Sequence, residues 1–149
     1  MEPERPRAEA TPAVQLTADQ GNEPSAPPGL RIGPSPGRGR GVFAARAFAA
    51  GEVIERAAVL VFPRDEVRPL AGTLLDNYWF WWDDAHNAVS FGCGSLYNHD
   101  SPANARFVRD TVRQLIVFVA ARAIASGEEI TINYGGDADG SASVWFNVM

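Results

Sequence analysis

Short apolar runs recur along the chain between glycine and proline punctuation, and their lengths suit strands better than helices. The runs at 30–32, 41–44, 53–55 and 59–62 read as four such strands. Farther on, 105–109, 114–121 and 129–133 read as three more, and 114–121 is apolar enough to be buried on both faces. One stretch carries a helical period instead. Val67, Leu70, Leu74 and Leu75 recur at near-helical spacing and predict a helix over 65–77 that packs on the strands. No internal repeat or sustained heptad pattern accompanies these elements, which argues against solenoids and coiled coils. The expected fold is mostly β, compact and loop-rich.

Residues 1–28 are rich in Pro, Ala, Glu and Ser without periodicity, a composition that cannot bury enough surface to offset chain entropy. They are expected to form a disordered tail, leaving 29–149 as one folded domain. A chain of 149 residues, 46% of them apolar, can support one sizeable core and one site. The longest apolar run, 115–121, falls far short of the roughly 20 residues of a membrane-spanning helix. The first ten residues alternate acids, arginines and prolines and lack the apolar stretch of a secretory signal, so a cytoplasmic location with no membrane partner is expected.

Charge and cysteine narrow the chemistry. Thirteen basic and eighteen acidic side chains give a net charge of −5, which disfavours strong nucleic-acid binding and suits a basic partner. All thirteen basic residues are arginine; the chain contains no lysine. A GC-rich coding bias is the plainer explanation. The single cysteine, Cys93, allows neither an internal disulfide nor a multi-cysteine zinc site and is expected to be a small core residue.

Three segments carry candidate chemistry. In Gly37-Arg38-Gly39-Arg40-Gly41-Val42-Phe43-Ala44, alternating glycines let a ligand approach the backbone where a Cβ would clash. Gly39, Gly41 and Ala44 also fit the dinucleotide pattern G-x-G-x-x-A, but the helix that pattern requires is missing before Gly51. A glycine-rich hairpin is the structural alternative, and an RNA-binding RGG-like reading is weaker. The second segment, Asn98-His99-Asp100-Ser101-Pro102-Ala103-Asn104, clusters polar side chains that either cap turns and satisfy buried carbonyls or face a ligand. Metal binding by Cys93, His86 and His99 lacks a fourth ligand and a recognised spacing. The third, Gly127-Glu128-Glu129-Ile130-Thr131-Ile132-Asn133-Tyr134, is a turn feeding a strand that ends in a tyrosine beside Gly135 and Gly136. That tyrosine is either a strand-end aromatic or a side chain delivered into a cleft.

Together and in this order, the three segments resemble the SET domain family of protein lysine methyltransferases, over roughly residues 30–145. Family members carry an early G-x-G, then an R-F-x-N-H-S-x-x-P-N block, then G-E-E-L-T-x-D-Y. Gly94-Ser95-Leu96-Tyr97-Asn98-His99 is similar to the small stand-alone SET proteins of viruses and bacteria, which lack cysteine-rich flanks. The chain departs from the pattern at Asp100 for Ser, at Ala103, which lengthens the gap before Asn104, and at Asn133 for Asp.

The resemblance implies several small curved sheets, few short helices, and a carboxyl-terminal segment threaded so that the second and third motifs meet. It implies S-adenosylmethionine held by Gly39, Arg40, Gly41, Val42, Asn98 and His99, with Tyr134 beside the transferring methyl. It also places Tyr97, Phe107 and Ile132 along a channel for the lysine of a protein substrate. Trp145 or Phe146 would close the cofactor pocket, a homodimer contact being the competing assignment. No metal is implied. An inactive SET-like interaction module is the alternative function, and a lysine-modifying enzyme without lysine would be unable to modify itself. Tyr78, Trp79, Phe80, Trp81 and Trp82 are expected mainly in the core, with substrate contact as the second assignment.

Overall fold

A computed structural model describes residues 26–136, so expectations for the amino-terminal tail before Ala26, and for Trp145 and Phe146, fall outside the described residues. Among the described residues, nine strands form small sheets that share members: β1 (Leu30–Ser35), β2 (Gly39–Ala44), β3 (Val53–Pro63), β4 (Trp79–Trp81), β5 (His86–Ser90), β6 (Asn98–His99), β7 (Ala105–Asp110), β8 (Leu115–Ala120) and β9 (Glu129–Ile132). Their order is β1-β2-β9-β7-β8-β3-β5-β4, and β6 pairs with β9 off that path. All pairs are antiparallel except those that β6 and β7 make with β9. No helix among the described residues is long and apolar enough to cross a membrane.

The two runs expected at 53–55 and 59–62 are one strand. Its amino-terminal half pairs with β8 and its carboxyl-terminal half with β5, so a single strand bridges two sheets. Its polar residue Arg56 projects outward between buried Glu55 and Ala57, an ordinary strand alternation. A register shift between Val53 and Glu55 marks a bulge, and there two consecutive residues, Ile54 and Glu55, both turn inward. Strand β8 lies between β7 and β3, which explains its apolar sequence: Ile116, Phe118 and Ala120 are buried on one face while Val119 is buried on the other.

The helix expected over 65–77 does not form. Two 3-10 segments, Arg64–Leu70 and Leu74–Asn77, take its place, and neither contributes a buried residue. Pro69 lacks the donor an α-helix needs, and Gly72, at φ +76°, reverses the chain before a second turn can build. Leu74 and Leu75 consequently stay 73% and 57% exposed rather than packing on the strands. The core is instead built mainly by strands, with Val42, Ile116, Phe118, Ile130 and Ile132 essentially inaccessible, and by Tyr97 just before β6. Cys93 belongs to that core, and burial pushes its thiol up to about 12.

Candidate active site

The second and third motifs meet where β6 lies parallel to β9, pairing Asn98 with Thr131 and His99 with Ile132. Asp100 N–H donates to the Ile132 carbonyl at 3.1 Å, so β9 is held by the residues flanking His99. Asn104, only 3% exposed, then behaves like a piece of strand backbone. Its Oδ1 accepts from Thr131 N–H at 2.8 Å and its Nδ2 donates to the Glu129 carbonyl at 2.7 Å. A buried amide with both ends bonded locks the register, because any slip would strand those groups without partners.

The first motif closes over the same junction. Asn98 Nδ2 donates to the Arg40 carbonyl at 3.0 Å and to Glu129 Oε1 at 2.8 Å, while Glu129 Oε2 accepts from the Ser35 hydroxyl at 3.0 Å. This crowding requires a glycine at position 41, since a Cβ there would run into Glu129 Oε1 and lie 2.9 Å from Asn98 Nδ2. Gly39 answers a different need: at φ +74° it makes the turn, with nothing within 4 Å of where its Cβ would stand. Arg38 crosses over and donates to the His99 carbonyl at 2.8 Å. Burial lowers the His99 pKa from 6.5, and the neutral ring accepts Tyr134 N–H on Nδ1 at 3.1 Å.

Tyr134 stands at the end of β9 against a cleft of about 320 Å³. Its hydroxyl donates to the Tyr97 carbonyl at 2.7 Å, and burial first, then neighbouring Tyr78, pushes the phenol up to about 12. The hydroxyl therefore stays protonated at neutral pH. The cleft walls come from β4 with Tyr78, from Phe107 of β7, and from Gly135 and Gly136. Phe80 meets Phe107 edge-on at 5.1 Å, a preferred aromatic geometry. Arg109 lies over Trp81 at 4.3 Å and donates to the Trp81 and Trp82 carbonyls at 3.0 and 3.3 Å, bracing that wall.

The structure thus gathers Gly39, Arg40, Gly41, Val42, Asn98, His99 and Tyr134 around one junction, with the Val42 side chain itself in the core. Phe107 lines the cleft. Tyr97 touches it too, but its ring is buried against Phe118 at 4.4 Å and its hydroxyl is taken by Glu55. Ile132 is wholly buried in the core and is no part of the cleft wall, because β9 has strands on both sides and three of its four residues are buried. Of the aromatic run, Trp82 is buried and Phe80 packs against the core beside Phe118, as expected, whereas Tyr78 and Trp81 are exposed, which corrects the expectation of a core role for those two; Tyr78 to Trp81 all line the cleft. Sequence reasoning passed over Arg38, Glu129 and Glu55. The first two lie inside quoted motifs, whereas nothing local distinguishes Glu55 from a surface acid. Among the described residues no group of three or more His, Cys, Asp or Glu side chains could hold a metal ion.

Residues 39–135 match the SET domain family. A relative in Schizosaccharomyces pombe, Histone-lysine N-methyltransferase, H3 lysine-37 specific, is 33% identical over 107 residues, covering 71% of this chain and 73% of that one. A crystal structure of a Plasmodium falciparum protein assigned as a histone methyltransferase superposes with a TM-score of 0.60 at 25% identity, over 72% of this chain and 98% of that one. The chain belongs to the SET-domain family. Its enzymatic class is protein-lysine N-methyltransferase.

Proposed function

We propose that this enzyme transfers the methyl group of S-adenosylmethionine to the ε-amine of a lysine in a histone or similarly basic protein tail, with the cofactor at the Gly39–Asn98 junction and the lysine in the aromatic cleft. The observation that carries this reading is the placement of Tyr134, whose hydroxyl is fixed on the Tyr97 carbonyl where cleft and junction meet. The histone class is supported by the names of both relatives and by the chain's own net charge of −5.

The residues at the junction suit the cofactor. Asn98 spends its amide N–H groups on Arg40 and Glu129, while its Oδ1 receives no hydrogen bond among the described residues and can accept from an α-ammonium group. The exposed Arg40 and the open turn at Gly39 supply positive charge and room for a carboxylate. Once bound, the cofactor supplies a methyl group on a positively charged sulfur.

The protein's part is to present a neutral amine in line. Free lysine titrates near pH 10.4, and its ammonium form has no lone pair. The aromatic walls at Tyr78, Phe80 and Phe107 disfavour the charged form by desolvation, so the proton leaves to water before transfer. With the cofactor bound, the amine lone pair would take the methyl as its bond to sulfur broke, and the extra amine proton would pass to solvent. Tyr134, whose phenol burial pushes up to about 12, is protonated at neutral pH and serves as a fixed dipole and not as a base.

The test is label transfer from methyl-labelled S-adenosylmethionine to recombinant histones. Asn98→Ala should weaken cofactor binding, whereas Tyr134→Phe should bind cofactor normally and lose about 2 to 4 kcal/mol of transition-state stabilisation. Cofactor binding without any transfer to histones or to a proteome extract would favour an interaction module. Parent-rate turnover by Tyr134→Phe would remove Tyr134 from the chemistry.

A further inference from the structure

Glu55 is 6% exposed, and no cation is paired with it among the described residues. An isolated buried carboxyl is costly, and here its environment is assembled from three separate parts of the chain. The bulge in β3 turns Glu55 inward directly after Ile54. Gly92, at φ +65°, lets the following backbone close on the carboxyl, since a Cβ at that position would run into Glu55 Oε1. Cys93 N–H donates to Oε1 at 2.9 Å and the Tyr97 hydroxyl donates to Oε2 at 2.7 Å. A hydrophobic residue would have filled this space without such arrangements.

What the arrangement holds is Tyr97. Its ring is pinned between Glu55 at the hydroxyl end and Phe118 along its face, and its carbonyl is the acceptor of the Tyr134 hydroxyl. We propose that Glu55 is a positioning residue for methyl transfer, acting through Tyr97 on the carbonyl that orients the Tyr134 hydroxyl. This inference rests on the role given to Tyr134 above. It predicts a kinetic dependence between residues that do not touch.

Label transfer to recombinant histone H3 by the full chain, with cofactor saturating and well below each variant's Tm, tests it. Tyr97→Phe keeps the ring and removes the bond to Glu55. It should lower kcat about tenfold, a partial form of the loss that a misplacement of about 1 Å can cause, with both KM values unchanged. In a Tyr134→Phe background the same change should have no further effect on kcat, because the oriented hydroxyl is already gone. If Tyr97→Phe does not fold, Glu55→Gln takes its place in the cycle. It preserves shape and exchanges a charge-assisted bond for a neutral one, so about threefold is expected, again only when Tyr134 is present. Parent kcat in the single variant, or a loss that multiplies onto Tyr134→Phe, would overturn the role of Glu55 while leaving Tyr134 in place. If Tyr134→Phe itself turned over at the parent rate, the underlying reading would fall, and Glu55 with it.

Discussion

Replacing Gly41 by alanine adds one carbon at the most crowded point of the cofactor junction. The backbone there lies outside the left-handed region, so the penalty is steric rather than conformational. The new Cβ would collide with Glu129 Oε1, lie 2.9 Å from Asn98 Nδ2 and 3.1 Å from Glu129 Cδ, and Glu129 must move. Moving it sacrifices the bonds from Asn98 at 2.8 Å and Ser35 at 3.0 Å. Two hydrogen bonds to a carboxylate at a half-buried site are worth about 2 to 4 kcal/mol together. At roughly 4 °C per kcal/mol for a domain of this size, Tm should fall by about 8 to 16 °C. Because Asn98 loses the partner that orients its amide, cofactor affinity should fall by about tenfold or more as well. Gly39→Ala is the internal control. Nothing lies within 4 Å of its added Cβ, so only the φ of +74° is penalised, by about 1 to 2 kcal/mol, and Gly39→Asn should recover part of that. Thermal shift and calorimetry with S-adenosylhomocysteine measure both quantities. Equal damage from the two glycine substitutions, or a Gly41→Ala protein with parent Tm and affinity, would refute the reasoning.

Four further outcomes follow from the geometry. Asn104→Ala should cost about 3 kcal/mol in denaturant unfolding, since it strands Thr131 N–H and the Glu129 carbonyl in the interior; a loss under about 1 kcal/mol would show that the amide does not lock β9. Arg109→Ala should raise KM for the protein substrate and spare cofactor binding, because it unbraces only the Trp81 wall; unchanged KM would remove that role. Arg122 holds the Glu128 carboxyl down at about 2, from an ordinary 4.5, so this pair contributes stability that is present above pH 4.5 and lost as pH falls toward 2. Solvent screening limits it to about 1 kcal/mol, and denaturation between pH 2 and 5 should be less pH-dependent in Arg122→Ala. Glu55 behaves in the opposite sense: burial raises its pKa, so its contribution is present below 4.5 and lost as pH rises through the raised folded value. An unaltered pH slope in Glu55→Gln would contradict that assignment.

Much of this architecture was readable because strands write themselves into sequence by period and by apolar character, as at 105–109 and 114–121. The failures have local physical causes. Leucines at near-helical spacing between 65 and 77 read as a helix face, yet Pro69 and Gly72 prevent the hydrogen-bond ladder that would make spacing matter. Trp79–Trp81 and His86–Ser90 form a hairpin in which Phe80 does pack on the core, while the position of β4 at the end of the strand order leaves Trp81 exposed at a cleft. The site motifs were legible as residue types, but their meeting was not: Asn98 against Thr131, or Asn104 against Glu129, follows from parallel pairing across distant parts of the chain. Glu55 was hidden by the bulge, which breaks the alternation from which its direction would be inferred.

Strand β9 occupies the gap between β2 and β7, and the tyrosine that follows it reaches the cleft only when that gap is filled. Its side chains meet partners as remote as Ser35, 94 positions away. Until it docks, two strand edges stand open to any neighbouring chain, and Tyr97 and Asn98 have nothing to organise. Closing the sheet and building the catalytic junction are therefore one event. A molecule with this strand unpaired would lack the catalytic junction and expose two open edges at once.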